Sequence, residues 1–117
     1  MNNNENEPIV YVVQDTKLNL SKAYRWSNKL VAILPATYNV VISAQPCLRL
    51  LRQKLKDFSD NDLLLLLGDT IAIGMALHVA AEMNNGYVRC LKWDRGLNDY
   101  FELPVDLYDR PEEGDPI

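Results

Sequence analysis

The apolar positions of this chain fall into short blocks divided by polar or Pro/Gly-containing breaks. Ile9–Gln14 (IVYVVQ) is β-branched and aromatic, follows Pro8 and precedes Asp15-Thr16, so it predicts a first strand. Residues 18–28 are less regular: Asn19 or Ser21 is placed to cap one or two helical turns holding Ala23, Tyr24 and Trp26, so the segment reads as a short helix or an ordered loop. Lys29–Leu34 (KLVAIL) and residues 38–42 (YNVVI) are two further apolar runs, and Pro35-Ala36-Thr37 between them predicts a hairpin.

The period then changes. Ser43-Ala44-Gln45-Pro46 opens a helix, since proline is tolerated at a first helical position where its missing N–H costs nothing. Over residues 47–57, Leu48, Leu51 and Leu55 follow the spacing of a buried stripe that Phe58 closes, with Arg49, Arg52, Gln53 and Lys56 turned outward. After a polar break at 59–61, residues 62–67 (DLLLLL) are too short for another helix and predict a strand covered on both faces. Gly68-Asp69-Thr70 switches into a second helix, with Asp69 as N-cap, which stops at Asn85-Gly86. Its polar stripe is Thr70, Gly74, His78 and Glu82; almost everything else on it is apolar. Residues 87–93 and 100–107 predict two last strands around a turn-forming loop, and Pro104 places the final one at an edge.

The expected fold is therefore a single α/β (α+β) domain. It has a mixed sheet of about five to six strands and two main helices, in the order β, β, β, α, β, α, β, β. Residues 62–93 form a βαβ unit and residues 38–67 are candidates for another. Two helices on one face would leave the other bare, so the pattern predicts packing on opposite faces or a face covered by a partner. Residues 9–108 make the domain; the Asn-rich residues 1–8 and the acidic residues 109–117 have little to bury and are expected to be disordered tails.

Composition narrows the class. At 117 residues and 48% hydrophobic the chain can build its own core, and the longest apolar stretch, residues 71–83, is too short and too interrupted to span a membrane. The N-terminus lacks the basic and apolar regions of a secretory signal, and Cys47 and Cys90 lack metal or redox spacing, which together read as a cytosolic protein with buried thiols. No cofactor is indicated.

Charge adds a directional feature. From Thr16 to Lys56 there is no acidic residue against eight cations, Lys17, Lys22, Arg25, Lys29, Arg49, Arg52, Lys54 and Lys56. From Asp57 onward thirteen acids face Arg89, Lys92, Arg95 and Arg110. Such polarity bears on partners rather than fold.

Residues 57–95 carry DFSDND, a strand ending in Gly68-Asp69, AIG at Ala72 to Gly74, and LKWDR followed by Tyr100. With the earlier ILPATYNVVIS and LRLLRQKL, they resemble a group of small uncharacterised proteins encoded by tailed bacteriophages. In that pattern proline usually follows Gly-Asp, where this chain has Thr70; both suit a first helical position. The resemblance implies a phage origin and a role inside the infected host cell, and brings no catalytic residues with it.

Three surfaces are candidates. Arg25, Trp26, Arg49, Arg52, Lys56 and Arg95 are candidate contacts for a host or phage protein, and the same basic segment is a candidate nucleic-acid surface, although no nucleic-acid motif accompanies it. Gly68, Asp69 and Thr70, at a strand's carboxyl end before a helix N-terminus, are where open α/β sheets bind small ligands or nucleotides; the sequence has no Gly-rich phosphate loop there. His78 and Glu82, one turn apart, read as a solvated pair. The row Ala72, Ala76, Ala80 on an apolar helix predicts a two-fold homodimer through helices.

Overall fold

The computed structural model describes residues 7–16 and 20–109. Lys17, the cap candidate Asn19 and the expected tails, apart from Glu7, Pro8 and Asp109, lie outside the described residues. Five strands, β1 (Ile9–Gln14), β2 (Lys29–Leu34), β3 (Leu63–Leu65), β4 (Tyr87–Asp94) and β5 (Asp99–Asp106), form one sheet in the order β2-β1-β3-β4-β5. The first four are parallel, and β5 returns antiparallel beside β4. Two helices, α1 (Ala44–Lys54) and α2 (Thr70–Met83), and a 3-10 helix at Ser21–Arg25 complete the domain.

β1 is central because it can be dry on both faces: Tyr11 and Val13 point into the core beneath α1 and α2, while Val10 and Val12 point into a second core on the opposite side. β3 behaves alike, with Leu64 toward the helices and Leu63 and Leu65 away from them. Asp62 pins the starts of these two strands together: its Oδ1 accepts from Ile9 N at 3.0 Å and its Oδ2 from Ser59 N at 3.0 Å.

Three expectations are corrected. Residues 38–42 are not a strand, so the order is β, 3-10, β, α, β, α, β, β and the hairpin does not exist; β2 pairs parallel with β1 instead. Asn39 is the cause. Its Oδ1 accepts from Val41 N and Ile42 N while its carbonyl accepts from Ser43 N, turning the chain into α1 before a strand can extend. Val40 drops into the core and Val41 and Ile42 are left 86% and 79% exposed, which breaks the alternation a strand requires. The second correction is that α1 and α2 pack against each other over one face of the sheet. The other face is covered by the 3-10 helix and its flanks, through Leu20, Ala23 and Trp26. A chain keeping one hand of crossover must change faces when it reverses direction across the sheet, and it reverses at β2.

The third correction concerns α2. Thr70, Gly74, His78 and Glu82 are all exposed, as the stripe predicts, but Ala72, Ala76 and Ala80 are fully buried within the single chain. Their small side chains let the helix sit close to the sheet and α1, so that row is not open to a second copy. α2 ends as its sequence predicts, with Gly86 at φ +94 donating to Ala81 O; a Cβ there would lie 2.6 Å from Tyr108.

Candidate functional site

In an open sheet the crevice for a ligand lies where the strand order reverses, here between the carboxyl ends of β1 and β3. The Gly68-Asp69-Thr70 turn stands at that point, and Gln14, the last residue of β1, fills it. Gln14 Oε1 accepts from Asp69 N at 2.8 Å, and its Nε2 donates to Pro35 O and Tyr38 O, both at 3.2 Å. One buried side chain thus ties the loop after β2 to the start of α2. Gly68 is required by this plug: its φ is +114, and a Cβ on it would fall 2.3 Å from Gln14 Cβ. The Asp69 carboxylate is spent on capping, accepting from Ile71 N at 2.8 Å and Ala72 N at 3.2 Å, and only Thr70 projects outward from the turn. The hydrogen bonds at this turn hold the loop after β2, β1 and the start of α2 together. Cys47 lies near enough for the Asp69 charge to act on it; burial first, and that charge second, push its thiol pKa up, away from a nucleophilic thiolate.

The six basic and aromatic candidates divide between two faces. Arg25 and Trp26 lie on the face of the 3-10 helix, where Arg25 stacks 4.2 Å from the Trp26 ring centroid, pairs with Asp99 and donates from Nη2 to Tyr100 O at 2.8 Å. Trp26 Nε1 donates to Glu102 Oε1 at 3.2 Å, and Arg89 grips both oxygens of Glu102 at 2.8 and 3.0 Å. That grip is the main reason the Glu102 carboxyl pKa is lowered, against the raising effect of burial. Lys22 donates to Asn98 O in the β4–β5 turn, the turn that also carries exposed Arg95. Trp93, beneath Lys22, packs edge-on against Tyr100 at 5.0 Å. Most of this cluster is therefore a latch between the 3-10 helix and β5.

Arg49, Arg52 and Lys56 lie on or just after α1, over the opposite face. Arg52 pairs with Glu82 at 3.4 Å, and Glu82 also meets His78 at 3.3 Å, so this exposed trio links α1 to α2. Arg49, Lys54 and Lys56 are exposed without an acidic partner among the described residues. Just before α1 stand the exposed Val41 and Ile42, and the Gln14 bridge brings their loop beside the first turn of α2, where Ile71 is 59% exposed. This end of the domain thus presents exposed apolar side chains, while Lys54 and Lys56 stand at the far end of α1, the end at which Arg52 meets Glu82 near the C-terminus of α2. Sequence reading finds the cations and misses the apolar pair, which it assigns to a strand; Asn39 ahead of Val40-Val41-Ile42 is the available signal.

At the other end of the sheet an open polar depression of about 530 Å³ is lined by Asp60, Asn84, Asn85, Tyr87 and Asp106. Asn84 Nδ2 donates there to Asp60 Oδ1 at 2.8 Å and Tyr87 O at 2.9 Å, so its amide closes the C-terminus of α2. Among the described residues no group of three or more His, Cys, Asp or Glu side chains is arranged to hold a metal ion, and no helix is long and apolar enough to cross a membrane.

The fold and these surfaces define a small single-domain α/β protein with an open mixed sheet, in which Gln14 bridges three segments at the point where the strand order reverses. The family model described as Phage Pam3 gp32-like protein matches residues 8–107, and the chain belongs to that family. No curated protein and no solved structure matches it.

Proposed function

We propose that this protein is a non-enzymatic phage accessory protein that binds an acidic protein, of host or phage origin, in the infected cell. The observation that carries the reading is the segregation of charge across the fold. The 3-10 helix, β2, the loop after it and α1 contain no acid, and Arg49, Lys54 and Lys56 are exposed without an acidic partner among the described residues. Val41 and Ile42, before the start of α1, add exposed apolar side chains of the kind a protein contact uses. The phage family agrees with such a role. The division of the basic segment between two faces disfavours a continuous track for a phosphate backbone.

The test is capture of host and phage proteins on the immobilised chain, compared with an Arg49→Glu/Lys56→Glu variant. An acidic protein retained by the unmodified chain and released by the variant is the expected result. Equal retention by both would overturn the reading. So would a salt-sensitive shift of single-stranded or duplex nucleic acid that the variant abolishes, which would make nucleic acid the partner.

A further inference from the structure

Two neighbouring demands of the fold put a chemically labile pair at the end of α2. The closure of the helix, with Gly86 N donating to Ala81 O at 2.8 Å, requires a left-handed residue just before Gly86. Asn85 takes that place at φ +53, a conformation that asparagine tolerates better than most residues with a side chain. Gly86 follows at φ +94, buried against Tyr108 where a Cβ has no room. Geometry therefore dictates both residues, and together they make the only Asn-Gly pair in the 117 residues.

That pair is reactive by its own chemistry. No side chain on Gly86 shields its backbone nitrogen, which can give its proton to hydroxide and attack Cγ of Asn85. The N–Cγ bond forms, the Cγ–Nδ2 bond breaks, and ammonia leaves with a proton taken back from water. Water then opens the resulting cyclic imide at either carbonyl, leaving aspartate or isoaspartate at position 85. The net change is one amide hydrolysed to a carboxylate and ammonia. Asn84 is placed differently: its side chain is held by Asp60 Oδ1 and Tyr87 O, and the residue after it carries a side chain. Asn28, Asn39, Asn61 and Asn98 also precede residues with side chains.

In the folded chain the attacking nitrogen is engaged. Its N–H is bonded to Ala81 O, and Gly86 O accepts from Leu107 N at 2.7 Å, so Gly86 is held between α2 and the end of β5. Asn85 is exposed, and its carboxamide is open to water and base. The reaction waits for the last turn of α2 to fray, a local opening that costs about one hydrogen bond.

We infer that Asn85 is a site of spontaneous deamidation in the folded chain, at a rate set by the closure of α2 over Gly86. The two products differ in effect. Aspartate keeps the left-handed turn but adds a negative charge at the C-terminal end of the helix dipole, in the depression that Asp60 and Asp106 also line. Isoaspartate lengthens the backbone by one carbon between residues 85 and 86, so the bonds from Gly86 to Ala81 and Leu107 are no longer kept together.

The experiment incubates the full chain, folded and in guanidinium chloride, at one mildly alkaline pH. Each asparagine is followed by mass spectrometry of proteolytic peptides, with fragmentation that tells isoaspartate from aspartate. Asn85 is expected to convert before any other described asparagine, to both products, and about fivefold or more slowly in the folded chain than in denaturant. Asn85→Gln, which needs a larger and slower ring closure, is expected to leave residue 85 unchanged over the same period. The isoaspartate form, separated by chromatography, is expected to melt below the unmodified chain. No conversion at Asn85 in the folded chain while the denatured chain converts overturns the site. Equal rates in the two states overturn the gating by α2, and faster conversion at another described asparagine overturns the choice of residue.

Discussion

Gln14 Oε1 and the backbone N–H of Asp69 are hydrogen-bonded at 2.8 Å, joining the end of the first strand to the cap of α2 across 55 residues of sequence. The same amide holds Pro35 O and Tyr38 O, so the point where open sheets admit a ligand is here a junction of three segments.

Replacing Gln14 by Leu keeps the volume and removes all three bonds. We expect a loss of about 2 kcal/mol in urea unfolding, since each bond contributes about 1 kcal/mol net and an orphaned buried group costs more. A loss below about 0.5 kcal/mol would mean that water replaces the amide without penalty.

On α2, burial decides the sign of two substitutions. Gly74 is exposed in the helix interior, and a Cβ added there would meet nothing within 4 Å, so Gly74→Ala should raise stability by about 0.5–1 kcal/mol. Ala76 has no exposed surface, so Ala76→Glu should bury an unpaired carboxylate and unfold the chain rather than dissociate an oligomer. A folded Ala76→Glu variant by circular dichroism, smaller than the unmodified chain by light scattering, would contradict this account of the helix.

Glu102 gives a pH signature. Its carboxyl pKa is lowered from the usual 4.5, first by the Arg89 hydrogen bonds, so its contribution is present above about pH 4.5 and is lost as pH falls through the lower folded value. Glu102→Gln should cost about 1 kcal/mol at neutral pH, and the difference from the unmodified chain should stay level down to about pH 5 and shrink below pH 4.5. A difference unchanged down to about pH 3 would assign the effect to packing under Trp26 instead.

Val41→Asp and Ile42→Asp test the exposed apolar pair of the proposed contact. Both positions are largely exposed, so melting should be nearly unchanged, within about 0.5 kcal/mol, while capture of an acidic partner should fall sharply. Loss of stability together with binding would show instead that this loop packs more than its exposure indicates.

How far the sequence could be read depended on whether a segment's structure was set locally. α1, α2 and the five strands β1 to β5 were legible because period, caps and breakers agree within each segment: Asp69 and Asn85-Gly86 act where they stand, while α1 begins at Ala44, two residues ahead of the Pro46 expected to open it. The pairing of β2 with β1 was not legible. An apolar run, a proline and a second apolar run look like a hairpin, and what prevents it is a single side chain, Asn39, closing a turn on Val41 and Ile42. The candidate site failed to gather for a related reason. Arg25 and Arg49 are near in sequence, but the reversal of direction at β2 puts them on opposite faces, and only topology carries that information.

Pro104 has a consequence for stoichiometry. A sheet closed at one edge by a residue without an N–H terminates whatever it joins: a second chain cannot add beyond β5, so growth by strand pairing stops there. An array of these sheets joined edge to edge therefore cannot extend past β5.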